Sequence, residues 1–250
     1  MKKPSFARLA DHRGFTLIEL MISTLLFSLI AGVVFTLLGI SQQRYMVEKD
    51  YLNSFQQANV AMDQITRDVH SAGYPPPNSF TAAVALANPL KVATPFAWSP
   101  TGAPCTVGVC ASPGAFDLIT ESDLGNGNGV QWIRYTLVGT TLFRGIANKS
   151  NLDPIVATSP FLVPYLENVM NNPSAAQMTA LQASFPGMFP GNAAVPVFTY
   201  TFDAGTALQP PNIRELNITL IVQSPRPDPQ TQRLRVVTLT GQATRINPNQ

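Results

Sequence analysis

The chain has 250 residues, enough for one ordinary domain with an added element but short of two full domains. Charged residues are 12% against 45% hydrophobic, and mean hydropathy is +0.10, which excludes a disordered, highly charged chain. The formal charge of +2 originates in residues 1–14, where Lys2, Lys3, Arg8 and Arg13 face only Asp11; the near-neutral remainder offers no electrostatic footprint for nucleic acid.

Residues 1–14 form a polar, basic leader. Residues 15–40 are apolar apart from Glu19 and scattered Thr, Ser and Gly. As a helix these 26 residues extend about 39 Å, against a hydrocarbon core of about 30 Å, so they can span a membrane. The basic leader is then expected to stay in the cytoplasm. A secretory signal would have a shorter apolar region followed by a small-x-small cleavage site, and Ser41-Gln42-Gln43-Arg44 provides none. Gly14 is the small residue at the leader junction. A cut there removes the charges and keeps the apolar segment; the competing reading is a plain loop glycine ahead of an uncut anchor.

Glu19 is a lone carboxylate entering hydrocarbon, at a cost of a few kcal/mol, which makes it a functional residue by default. Two simpler placements compete. It can sit at headgroup level, or it can favour the positive N-terminal end of its own helix.

No Pro or Gly interrupts Ser41 to Ala72. Leu52, Phe55, Ala58, Met62, Ile65 and Val69 recur at spacings of three and four, a single helical stripe. Glu48, Lys49, Asp50, Asp63, Arg67 and Asp68 are assigned to its polar surface. Gly73 and Pro75-Pro76-Pro77 stop the helix. One helix from about Phe15 to Ala72 is predicted, apolar all round in its first half and amphipathic in its second.

Residues 75–115 read as a long ordered loop with room for a short strand. Within it Cys105 and Cys110 have poor metal-ligand spacing, so a short local disulfide is expected if the body is exported, with two free thiols as the alternative. Phe116–Glu121 reads as a strand, and Ser122–Gly129 as a dense turn. Asp123, Asn126 and Asn128, with Asp117 and Glu121, bring oxygens that suit calcium. The EF-hand pattern fails because its third position is Gly125, so a solvated turn is the preferred reading.

Val130–Val138 and Thr141–Ala147 read as a hairpin across Gly139-Thr140. Pro154–Pro196 is irregular, with one helix signal in the capping box Ser174-Ala175-Ala176-Gln177. Val197–Asp203, Arg214–Val222 and Arg233–Thr244 are the last strands. Alternation in Leu216, Ile218, Leu220 and Val222 predicts one covered face, with the amphipathic half-helix as its cover. The fold class is therefore α+β. No nucleophile elbow, Walker loop, zinc-protease motif or CxxC pair is present; His70 reads as a packed or exposed helix residue and Trp132 as a core or strand-face aromatic. No catalytic residue, cofactor or resident metal is expected.

Gly14-Phe15-Thr16-Leu17-Ile18-Glu19-Leu20, after a short basic leader and before an apolar helix, resembles the prepilin signature of type IV pilins and type II secretion pseudopilins. Arg67-Asp68-Val69-His70-Ser71-Ala72-Gly73-Tyr74 and the paired C-terminal strands look most like PilW-type minor pilins, with J-type minor pseudopilins as close relatives. The resemblance implies a type IV pilin-like fold. It also implies removal of leader 1–14 by prepilin peptidase at Gly14–Phe15, with N-methylation of Phe15. Residues 15–40 would be the transmembrane and filament-core helix, 41–73 its amphipathic continuation, and 74–250 the β head. It implies a bacterial inner-membrane protein with a periplasmic body that later enters a filament. Expected partners are other pilin or minor pilin subunits, the peptidase, the inner-membrane assembly platform and the membrane itself. Glu19 would pair with a neighbouring subunit's N-terminal ammonium. Where major pilins carry a helix-bending proline this chain has Thr36, a departure that leans toward a minor subunit.

Overall fold

The computed structural model describes residues 14–97, 114–150, 162–203, 212–228 and 230–246. It divides into two compact units, residues 1–46 and 47–250.

The first long element is helix α1, Leu17–Ser71, 55 residues without a break. The expected stop is observed. Gly73 adopts φ +79°, and its N–H donates to the Glu121 carbonyl at 2.7 Å. A Cβ at Gly73 would also meet Pro95 Cγ at 2.8 Å, so both backbone and space require glycine there. Within the first unit α1 buries nothing, and its leucines, isoleucines and phenylalanines are all exposed.

The second unit contains two antiparallel sheets. The first runs in order through β1 (Asp117–Asp123), β2 (Val130–Val138), β3 (Thr141–Asn148) and β4 (Leu162–Leu166). The second runs through β5 (Phe198–Phe202), β6 (Ile213–Gln223) and β7 (Val236–Thr244). The predicted hairpin pairs Val138 with Thr141 across Gly139-Thr140.

The main core joins Ala58, Ala61, Met62, Ile65 and Val69 of α1 to apolar residues of both sheets, including Leu118, Ile133, Leu166, Phe198, Leu216 and Leu220. The helix approaches β7 closely at Gly241, where a Cβ would lie 2.6 Å from Met62 Sδ. Ala58, Met62, Ile65 and Val69 of the predicted stripe are buried, but Leu52 and Phe55 are 48% and 38% exposed. The core begins at Ala58, nearly two turns after the stripe does.

The structure departs from the sequence expectation at four further places. Residues 75–97 are not simply loop. They hold the short helix α2 (Ala82–Ala87), capped by the Thr81 hydroxyl accepting from Val84 N–H. The Pro-rich stretch conceals β4, whose internal Pro164 is compatible with an edge strand. Helix α3 (Ala175–Ser184) forms as expected with both halves of its capping box. It buries Met178 and Leu181 with Met170, Phe189 and Ile221, so the second face of β6 is covered as well, where a half-buried strand was expected. Finally, the last strand starts at Val236, because Arg233 and Arg235 belong to the preceding loop.

Asn171 ties the segment after β4 to β6 of the second sheet. Fully buried, it donates from Nδ2 to the carbonyls of Thr219 (2.8 Å) and Val195 (3.2 Å), and its Oδ1 accepts from Ile221 N–H (2.8 Å). On the same segment Val169 N–H donates to the Thr140 carbonyl in the β2–β3 turn, while Val169 bridges Val222 of β6.

Candidate assembly site

Gly14, Phe15 and Thr16 precede α1 in exposed chain without regular structure, and nothing lies within 4 Å of a Cβ built on Gly14. The backbone at the Gly14–Phe15 junction is thus open to an approaching enzyme. Thr16 begins the helix. Its hydroxyl accepts from Glu19 N–H (3.3 Å) and donates to Glu19 Oε2 (2.9 Å), and Glu19 Oε2 also accepts from Thr16 N–H (3.0 Å). These contacts are the reciprocal pattern of a capping box. Glu19 therefore satisfies donors at its own helix start in the single subunit, the second of its two simpler placements.

Three hydroxyls further along the apolar run bond back to its own backbone. Thr24 donates to the carbonyls of Leu20 and Met21, Ser28 to Leu25 and Thr36 to Gly32. Each polar group is thereby kept out of an apolar surrounding. The helix passes Thr36 unbroken. Leu17, Leu20, Leu25, Leu29 and Val33 are 58–78% exposed, with no apolar cover among the described residues. By length and composition α1 is able to cross a membrane.

Two charged clusters hold the head. Asp68, expected on the polar surface of the helix, is in fact buried at 3% exposure. Its carboxylate accepts from the Tyr135 hydroxyl (2.5 Å), Arg144 Nη2 (2.9 Å) and Gln64 Nε2 (2.8 Å). Burial, then Asp68, push the Tyr135 hydroxyl far above the usual phenol range, with Arg144 pulling the other way. Burial alone would lower the Arg144 pKa, but Tyr135 and Asp68 outweigh it and raise it. In the second cluster, Lys149 Nζ meets Glu121 Oε2 at 2.7 Å with both side chains 4% exposed. Glu121 also accepts from Trp132 Nε1 (3.0 Å) and Thr94 N–H (2.9 Å).

Beside that cluster lies a groove of about 470 Å³ lined by Phe80, Leu90, Lys91, Asp123 and the Gly127–Gly129 turn. Its buried cation, Lys149, is already engaged by Glu121 and the Val92 carbonyl. The calcium-suited oxygens serve the turn: Asp123 Oδ1 accepts from Gly125 N–H and Asn126 Oδ1 from Asn128 N–H. Asp117 is held by Arg134 at 2.7 Å. Among the described residues no group of three or more His, Cys, Asp or Glu side chains is placed to hold a metal. Cys105 and Cys110 lie outside the described residues.

The prokaryotic N-terminal methylation motif matches residues 9–38, taking in Gly14, Phe15, Glu19 and most of the apolar run. No curated protein and no solved structure matches the chain. The chain thus carries a prepilin-like signal at its N-terminus. Behind that signal stands a type IV pilin-like α+β architecture, a long apolar helix leading into antiparallel sheets.

Proposed function

We propose that this chain is a minor pilin, a non-enzymatic subunit of a type IV pilus that acts in pilus assembly or initiation. The observation that carries the reading is the methylation motif at residues 9–38 set on a helix that runs on to Ser71. The prepilin inserts in the bacterial inner membrane with leader 1–14 inside and the body in the periplasm. Prepilin peptidase cuts at Gly14–Phe15 and methylates Phe15. Assembly on the inner-membrane platform then draws the helix out of the membrane and packs it against other pilin subunits. Glu19 trades the donors of its own helix start for a neighbour's N-terminal ammonium, which offsets the cost of a carboxylate in an apolar core. The unbroken helix at Thr36 and the large head favour a minor subunit.

Mass spectrometry of the membrane-extracted protein tests the processing. A mature chain beginning at methylated Phe15 is expected, and Met1 retained in peptidase-competent cells overturns the reading. The same signal serves minor pseudopilins of type II secretion, and a deletion strain separates the two machines. Loss of surface pili and twitching is expected, whereas loss of exoprotein secretion with intact pili assigns the subunit to secretion.

A further inference from the structure

We propose that the described residues of the β6–β7 loop, 224–228 and 230–235, form a salt-sensitive clasp on α1 that opens while the rest of the helix stays docked. The loop is a preformed unit. Ser224 N–H donates to the Arg235 carbonyl and Asp228 N–H to the Arg233 carbonyl, both at 2.8 Å. It grips α1 through two arginines. Arg235 Nη1 lies 2.6 Å from Glu48 Oε2, its guanidinium stands 5.4 Å over the Tyr51 ring, and Arg226 Nε lies 3.1 Å from Asp50 Oδ2.

This grip differs in kind from the one further along the helix. The Arg226 and Arg235 side chains are 59% and 40% exposed, and Asp50 Oδ2, though buried, lacks a well-aligned donor. Exposed pairs of this sort hold weakly and are screened by salt. Val47 is buried but belongs to none of the three apolar clusters, and Leu52 and Phe55 are open. From Ala58 onward the helix is fixed by the main core and by the buried Asp68–Arg144 pair. The second-unit part of α1 therefore has a firmly held stretch, Ala58–Ser71, preceded by residues 48–57, which add nothing to the apolar clusters and whose ion pairs, among the described residues, are those of the clasp. Opening it frees residues 48–57 for repacking by a neighbour; that use rests on the filament reading, whereas the clasp itself does not.

Trypsin reads the clasp directly, because Arg233 and Leu234 form a cleavable bond inside the loop. The full chain in detergent micelles is digested, and the rate of cutting after Arg233 is followed by mass spectrometry against cutting after Arg67. Raising salt from about 20 mM to about 500 mM, which shortens the screening length several-fold, is expected to speed cutting after Arg233 at least threefold relative to Arg67. The variant Glu48→Gln/Asp50→Asn is expected to be fast already at low salt and indifferent to more. The charge swap Glu48→Arg/Arg235→Glu is expected to restore slow cutting after Arg233. A wild-type rate that ignores salt, or equals that of the double variant at low salt, overturns the clasp. A thermal melt unchanged by these surface substitutions shows that the head is intact. If a melt is lowered, the wild-type salt series decides alone. The outcome is independent of whether the chain is cut at Gly14 or enters a filament.

Discussion

Glu19 and Asp68 are two carboxylates on one helix with opposite fates. Glu19 sits at the exposed start of α1, held by Thr16 alone, so its partner can be exchanged. Replacing it with alanine should leave cleavage at Gly14–Phe15 intact and reduce incorporation into filaments; normal incorporation in a filament assay would remove its pairing role. Asp68 is committed to Tyr135 and Arg144. Asp68→Ala strands a half-buried guanidinium and is expected to cost about 3 kcal/mol in a urea melt, while Tyr135→Phe, which loses the hydroxyl's bonds to Asp68 and from Arg144 but keeps the ring and the ion pair, costs about 1–2 kcal/mol. Glu19 was legible in the sequence because everything that defines it lies within a few residues. Asp68 was not. The nearest titratable residues in sequence are Arg67 and His70, and apart from Gln64 on the same helix its partners stand 67 and 76 positions away. Helical periodicity places a side chain on a face, but it does not report that a tyrosine and an arginine from two strands converge there.

At the scale of elements, two glycines test how tightly α1 is fitted. Gly73→Ala must hold a left-handed backbone against the rigid Pro95 ring and should cost more than about 1 kcal/mol. Gly241→Ala meets only the flexible thioether of Met62, so its cost should be smaller. Equal losses in parallel thermal melts would contradict that order. Helix and hairpin signals survived the passage from sequence to structure because they are local: a stop at Gly73, the Ser174–Gln177 box, the Gly139-Thr140 turn. Docking did not. Nothing in residues 175–184 indicates that they cover β6, and so Ile221 reads as solvent-facing until α3 is placed over it. β4 was hidden because Pro164 and its Pro-rich surroundings suppress the strand signal.

For the whole molecule, the division after Met46 separates an apolar helix with nothing buried from a head with a complete core. A chain beginning at Met46 keeps every buried residue and is expected to be monomeric without detergent in size-exclusion chromatography, whereas the full chain requires micelles. The head should also fail at alkaline pH. Burial and adjacent carboxylates raise the Tyr135 and Tyr200 pKa values above the ordinary phenol value of about 10. Both phenols then release protons more readily when unfolded. Stability from this source is complete below about pH 10 and falls as pH rises beyond it. Urea midpoints between pH 8 and pH 11 should be flat and then decline, with a gentler decline in Tyr135→Phe.

Asn171 has a further consequence, for how this chain can change in length. Its amide is read from both ends by carbonyl and N–H groups of Val195, Thr219 and Ile221, while Val169, two residues earlier, is tied to the β2–β3 turn. An inserted or deleted residue between Val169 and Asn171 would break one of these ties to keep the other. That passage is a fixed-length spacer, where insertions and deletions are barred.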